Sequence, residues 1–394
     1  MDRKAWTMST SPSAEQLQLQ LRHHHHHQQP FTRKPGANLP KFHSFIRHHH
    51  EILTRATASP IARTPIMAAS PRVLRIASSR APAAPSLLFR RCYSSSSSTE
   101  PLIRVTNLPA AGSGHIRVLE LNRPSARNAI SKALLASLRA EVDDVHAQYD
   151  AASGNELVGK HSAGAQLGPT RAMVLASAVD TCFCAGADLK ERRGFTPQET
   201  AEFLTNLNAT FTSLADLPIP TISAISSLAL GGGLELALST HFRVLTSNAT
   251  VGLPETRLGI LPGAGGTYRL PALVGLSRAR DLVLTGRRVA APEAYFLGIA
   301  DRLVEVVPED ERDGAGAAEN ILQVARKAAL SEGVRLAQEI CEGGPVAIRA
   351  ALQAVAWARP EKEAEMYQRV VNTEDRNEAL KAFQEKRKPV FKGR

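Results

Sequence analysis

Residues 228–238 read LALGGGLELAL: three consecutive glycines between two apolar runs, with one carboxylate, Glu235, inside the second run. Glycine loses more backbone freedom on ordering than any other residue, so a triplet belongs where the backbone turns sharply or approaches another group closely. The run that follows (Leu234, Leu236, Ala237, Leu238) predicts a buried helix with Gly231 to Gly233 at its N-terminus. The unsatisfied N–H groups and the dipole of such an end favour negative charge. A strand, a glycine turn and a helix start therefore predict a donor site for an anion. A carboxylate set into the apolar helix is costly unless it has a task. Tight packing alone would also account for the glycines, and a cap or an ion pair for the glutamate.

Working outward, Thr221 to Ile225 reads as a buried strand feeding the triplet, Ala172 to Ala176 as another, and Phe242 to Thr246 as a third. The segment CFCAGADLK (182–190) places Gly186 among small residues before Asp188 and Lys190. Pro197 to Leu217 predicts a helix with Phe203, Leu207, Phe211 and Leu214 on its inner face. Further upstream, Ile103 to Thr106 and Ile116 to Leu121 read as paired short strands. Ser131 then caps a helix to about His146 with Leu134, Leu135, Leu138, Val142 and Val145 inward. Residues 149–169 lack periodicity and predict a long loop. Downstream, VGLPETRLGILPGAGG (251–266) holds Glu255 in an irregular apolar segment, where an ion pair with Arg257 or Arg269 is the structural alternative to a chemical role. A helix from Ser277 to Thr285 stops at Gly286, and Pro292 opens another. From about Ala315 onward the pattern is almost wholly helical, with Pro345 at a helix start and Thr373 capping the last helix. Strands alternating with helices, then a helical tail, predict an α/β fold with a helical appendage.

The charge is unevenly distributed. Residues 1–98 carry 14 Lys and Arg against three acids, whereas the rest of the chain carries 34 of each sign, so all of the formal +11 lies in the first quarter. A neutral body argues against nucleic acid as a partner. The helix after Ser131 agrees, with Lys132 and Arg139 set against Glu141, Asp143 and Asp144. Nine of the 13 histidines fall in the same basic segment, a low-complexity composition that predicts disorder, with weak metal binding as the alternative. From Met67 the text is rich in Ala, Ser and Arg and has no acid before Glu100. That composition predicts a mitochondrial transit peptide, with processing near Ser94 and translation from Met1 or Met67. No apolar run reaches the roughly 20 residues that span a bilayer. Cys182 and Cys184 have no second Cys or His pair for zinc and, with Cys341, read as buried free thiols; Cys92 would leave with the leader. The expected division is a disordered leader over 1–98, a core over 99–315 and a helical region over 316–394.

Four motifs, LNRPSARNAIS (121–131), FCAGADLKE (183–191), LALGGGLELAL (228–238) and PETRLGILPGAGGTYRL (254–270), together resemble the crotonase, or enoyl-CoA hydratase/isomerase, superfamily. The resemblance spans about Leu102 to Arg394. It implies a spiral of ββα units whose helical tail mediates a homotrimer or a dimer of trimers, and an acyl-CoA thioester as substrate in the mitochondrial matrix. It implies no cofactor, coenzyme A being part of the substrate. Carried over by motif, the oxyanion hole falls on the backbone N–H groups of Ala187 and Gly232, and the two family carboxylates fall on Glu235 and Glu255. Contacts to CoA and substrate fall on Ala126, Ala187, Asp188, Leu189, Lys190, Gly232, Tyr367 and Lys386. Three features depart from the family pattern: Ser226 and Ser227 before the glycines, His241 after the helix, and the length of the 149–169 segment.

The residues fit that chemistry. Adding water across a 2,3 double bond builds negative charge on the thioester oxygen, which two aimed amide donors stabilise by about 3 kcal/mol each. Water must lose a proton and C2 must gain one, a task for two carboxyl groups about a single water. Glu235 is assigned to orient water and act as base and Glu255 to supply the proton, although the pair can share both duties. Moving a double bond needs only one carboxylate, so the pair favours hydration. Within the resemblance, the ADLKER and GLELAL variants favour a 3-methylglutaconyl thioester of leucine degradation, with a short unbranched enoyl chain of fatty-acid oxidation as the alternative. An isomerase, a thioester hydrolase or an RNA-binding protein of the same fold ranks below. The methylglutaconyl group carries a distal carboxylate that needs a cation, for which Arg192 and Arg193 are candidates by nearness.

Overall fold

The computed structural model describes residues 100–151, 153–157, 167–307 and 316–394. The expected leader, its targeting segment, the processing point near Ser94 and part of the 149–169 loop lie outside the described residues.

The chain enters a hairpin of β1 (Ile103–Pro109) and β2 (His115–Leu121), with Ile103 opposite Leu121 and Pro109 opposite His115. Helix α1 (Lys132–His146) begins at Ser131, whose hydroxyl accepts the Leu134 N–H at 3.2 Å. It buries the five apolar residues that its periodicity selects.

From Thr170 one pattern recurs: a strand, a second strand of three residues, then helix. The first unit is β3 (Thr170–Ser177), β4 (Cys182–Cys184), α2 (Leu189–Arg192) and α3 (Pro197–Ala215). The second is β5 (Thr221–Ile225), β6 (Leu228–Leu230) and α4 (Gly232–Leu238). The third is β7 (Phe242–Thr246), β8 (Thr250–Gly252), a 3-10 turn (Glu255–Leu258), α5 (Gly266–Val274) and α6 (Leu276–Thr285). The leading strand of each unit pairs in parallel with the next, as do the three-residue strands. Two sheets therefore grow in step as the chain advances, which is the expected spiral. The antiparallel partner of β8 is β9 (Arg288–Ala290); α7 (Ala291–Leu297) and then β10 (Arg302–Val304), parallel to β7, follow. The six-stranded sheet has the order β1-β2-β3-β5-β7-β10 and the four-stranded sheet β4-β6-β8-β9.

Burial explains the unbroken apolar text of the central strands. One face of the large sheet (Leu119, Leu175, Ile225) shares a core with Phe183, Phe211, Leu214 and Leu236. Each such side chain contributes about 1.5–3 kcal/mol on burial. The other face (Ile116, Val174, Ile222, Val244) is covered by Ala329, Leu336, Ala337 and Cys341 of α8 (Gly316–Cys341). Helix and sheet come close at Gly333, where an added Cβ would lie 3.2 Å from Val174 Cγ1. The tail continues through α9 (Pro345–Trp357), α10 (Pro360–Val371) and α11 (Glu374–Gln384), the last capped by Thr373 as expected. Glu156 holds the tail to the sheet, accepting from Arg171 of β3 and, at 2.7 Å, from Arg349 of α9. Cys182, Cys184 and Cys341 are buried free thiols. No helix among the described residues is long and apolar enough to cross a membrane.

Candidate active site

The triglycine turn meets three different spatial demands. Gly231 turns the chain at φ 55°, and a Cβ there would lie 2.9 Å from Glu255 Oε1. At Gly233 a Cβ would lie 2.1 Å from the Cys184 carbonyl oxygen, so α4 can rest on β4 only with glycine. At Gly232 the backbone is ordinary, and a Cβ would stand 3.5 Å from the Ala187 nitrogen. Across from the turn, Gly186 sits at φ 96°, where a Cβ would come within 2.7 Å of the Leu230 oxygen and 3.2 Å of the Gly232 nitrogen.

Those approaches bring two amide donors together. Gly232 is the first residue of α4, so its N–H has no acceptor within the helix; the first helical bond runs from the Glu235 N–H to the Gly231 oxygen at 3.0 Å. Ala187 bridges to Ile130 through its neighbours, Ile130 N–H to the Gly186 oxygen (2.8 Å) and Asp188 N–H to the Ile130 oxygen (3.1 Å). The Ala187 N–H takes no part in that bridge.

Both glutamates reach the same space. Glu235 Oε1 accepts the N–H groups of Ala264 (2.8 Å) and Gly266 (2.9 Å) from the loop that starts α5. Burial raises the pKa of its carboxyl, against the lowering effect of those donors and of Arg269. Glu255 opens the 3-10 turn, and its Oε2 is buried with no hydrogen-bond partner. Burial, with the charge of Glu235 beside it, pushes the Glu255 carboxyl up to about 7. The ion pair offered as the alternative is not formed: Arg257 donates to the Thr285 carbonyl and Arg269 to the Ala264 carbonyl.

The two acids, Gly231, Gly232, Gly186 and Ala187 line one cavity of about 480 Å³. Leu189, Arg192, Thr200, Leu204, Leu207, Pro254, Leu258, Ile260 and Leu261 complete its lining. Of the expected site residues, the structure thus brings together Ala187, Leu189, Gly232, Glu235 and Glu255. Asp188 lies beside them with its side chain engaged: its carboxylate caps α2 at the Lys190 and Glu191 N–H groups and pairs with Arg123 at 2.6 Å. Lys190 is exposed on the outer side of α2, and Ala126 is half-buried in the turn before α1. Tyr367 and Lys386 are exposed on the helical tail and do not line the cavity of this chain. Sequence reasoning missed Leu204, Leu207, Ile260 and Leu261; the first two share the apolar face of α3 with core residues, so nothing in the periodicity separates wall from core.

The departures are accommodated by the backbone and by His241, although Ser227 Oγ is buried with no hydrogen-bond partner among the described residues. The Ser226 and Ser227 carbonyls accept from Thr246 Oγ1 (3.0 Å) and the Thr250 N–H (3.1 Å). His241 Nδ1 accepts the Thr221 N–H at 3.1 Å, and burial, with the charge of Arg243, pushes its pKa down to about 4, so the ring stays a neutral acceptor.

Residues 166–394, more than half of the chain, match the enoyl-CoA hydratase/isomerase family. The chain belongs to that family. Methylglutaconyl-CoA hydratase 1, mitochondrial, of Pyricularia oryzae is 63% identical over 85% of this chain and 99% of its own length. The human methylglutaconyl-CoA hydratase, mitochondrial, is 36% identical over 79% of this chain and 84% of its own. Among solved structures, an enoyl-CoA hydratase from Bacillus anthracis superposes with a TM-score of 0.61 at 34% identity, covering 75% of this chain and 100% of that one. The spiral of paired strands is therefore the crotonase fold of the enoyl-CoA hydratases.

Proposed function

We propose that this chain is a hydro-lyase that adds water across the 2,3 double bond of 3-methylglutaconyl-CoA, a step of leucine degradation. The observation that carries the reading is the convergence of two buried glutamates and two uncommitted backbone N–H groups on one apolar cavity. The names of the relatives from Pyricularia oryzae and human supply the acyl group.

The thioester oxygen sits between the N–H groups of Ala187 and Gly232, which strengthen their hold as it becomes an enolate oxygen. Glu235, its Oε1 fixed by two amides, turns Oε2 to the attacking water and takes its proton as the oxygen bonds to C3. Glu255, whose raised pKa keeps a proton available near neutrality, delivers that proton to C2. Charge on each acid discourages charge on the other, which suits a pair that passes a proton in one direction through water. Asp188 and Arg123 hold the turn that presents Ala187, while Lys190, Tyr367 and Lys386 contact the CoA moiety outside the cavity. No resident cofactor is required. The helical tail assembles the chain as a homotrimer or a dimer of trimers, and the basic leader directs it to the mitochondrial matrix.

The test is hydration of 3-methylglutaconyl-CoA and crotonyl-CoA, followed by loss of the conjugated enoyl absorbance. Glu235→Gln and Glu255→Gln should each lose at least about 100-fold in kcat while still binding CoA esters. Near wild-type turnover in either variant removes that residue from the mechanism.

A further inference from the structure

The cavity wall holds one cation whose role the hydration chemistry leaves unexplained. Arg192 closes the short helix α2 and lines the cavity, whose other charged lining residues are Glu235 and Glu255. Its neighbour Arg193 is exposed and does not line it. No carboxylate among the described residues pairs with Arg192. Glu191 on the same helix instead accepts the Lys132 N–H at 3.1 Å. An unpaired cation on a largely apolar wall beside two acids is a feature that packing does not demand.

Its guanidinium lies over one ring of an edge-to-face aromatic pair. Arg192 Cζ lies 5.8 Å from the centroid of Phe203, which meets Phe195 edge-on at 5.7 Å, and Lys132 Nζ lies 4.3 Å from the Phe195 centroid. Phe203 is on α3, one residue from the cavity-lining Leu204 and less than one turn from Thr200. A guanidinium lying over an aromatic ring keeps its planar fork of donors while losing rotamer freedom in advance, the arrangement that suits a bidentate carboxylate. Arg192, Thr200, Leu204 and Leu207 line the same cavity as the Gly232 donor turn, so a guanidinium and the amide donors face one shared space.

We infer that Arg192 is the specificity-determining residue of this cavity, its guanidinium taking the distal carboxylate of the acyl group so that thioesters ending in a carboxylate are preferred to plain enoyl chains. The inference rests on the hydratase reading above and deepens it. A substrate carboxylate entering this cavity meets two acids and a largely apolar lining, so without a cation it would bear the full cost of desolvation and repulsion. A chain that lacks the carboxylate has no such need and gains only apolar contact.

The experiment measures the ratio of kcat/KM for 3-methylglutaconyl-CoA to that for crotonyl-CoA in wild type, Arg192→Met, Arg192→Lys and, as a control outside the cavity, Arg193→Met. Wild type should favour the carboxylate-bearing thioester, and Arg192→Met should lower the ratio by about 30-fold or more, chiefly through KM. Arg192→Lys should recover part of the preference, because the charge remains and the fork is lost. Arg193→Met should leave the ratio as in wild type. An unchanged ratio in both Arg192 variants overturns the inference. So does a wild type that hydrates both thioesters without preference, and that result leaves the hydratase reading standing. A wild type that hydrates neither sinks the hydratase reading itself.

Discussion

Exchanging glycine for alanine at two adjacent positions separates what the fold needs from what the chemistry needs. At Gly233 the new Cβ would lie 2.1 Å from the Cys184 oxygen and 2.8 Å from its carbonyl carbon, both backbone atoms of a buried strand. Helix α4 must therefore move off β4 by about 1 Å to restore ordinary contact. Overpacking of this kind costs about 1–3 kcal/mol, and the shift also displaces the Gly232 N–H and the Glu235 backbone. At Gly232 the backbone is not left-handed and the nearest atoms, Ile130 Cδ1 at 3.4 Å and the Ala187 nitrogen at 3.5 Å, are at contact distance. As Gly232 is the first residue of the helix, the interior preference for alanine has little weight there and stability should change little. The added methyl nevertheless stands 3.5 Å from the Ala187 nitrogen, at the position proposed for the thioester oxygen. Loss of one such donor costs about 3 kcal/mol of transition-state stabilisation, or roughly 100-fold in kcat. Gly233→Ala should then lose both stability and activity, while Gly232→Ala keeps its midpoint in urea and loses activity alone. The assays are urea unfolding followed by circular dichroism and enoyl-CoA hydration. A Gly232→Ala variant with wild-type kcat/KM would refute the placement of the oxyanion site.

Three further outcomes concern pH. In the proposed mechanism Glu255, with its pKa pushed up to about 7, acts in its protonated form, so kcat/KM should fall above about pH 7; a flat profile from neutrality into the alkaline range would contradict that role. Because that pKa lies above the ordinary 4.5, the group's contribution to stability is present below pH 4.5 and lost as pH rises through about 7, and Glu255→Gln should remove that slope. His241 shifts the other way, from 6.5 to about 4, so the unfolded chain binds the proton first. Stability is then full above pH 6.5 and falls by up to about 3 kcal/mol as pH drops through 4. His241→Asn should flatten that decline in denaturant melts between pH 7 and 4, and an undiminished slope would assign it to other groups.

Much of the fold was legible because local signals and burial agree. Ser131 and Thr373 announce their helices as caps, the five inward residues of α1 follow its period, and the central strands read as apolar runs because both their faces are covered. The three-residue strands β9 and β10 were not legible, since segments of that length exist only through their neighbours β8 and β7. At the site, the triglycine and the two acids stood out as features that ordinary packing disfavours. The amides that hold Glu235 did not, because Ala264 and Gly266 lie 29 and 31 residues further along and meet it only through the turn of the spiral. Asp188 shows the opposite difficulty: a conspicuous charge beside a glycine whose side chain serves a helix cap and an ion pair. Arg192 and Arg193 are indistinguishable as text, and only the direction of a four-residue helix puts one of them inside.

The carboxylate of Glu235 divides its labour between its two oxygens. Oε1, gripped by the amides of Ala264 and Gly266, is a rivet between consecutive turns of the spiral, and any side chain with a carbonyl oxygen at that point would serve. Oε2 makes no such bond and is the oxygen left for the proposed proton transfer. Replacing that one oxygen by an amide nitrogen would silence the protein while leaving its architecture and its grip on thioesters intact. A lineage that made the exchange would turn a catalyst into a carrier in a single step.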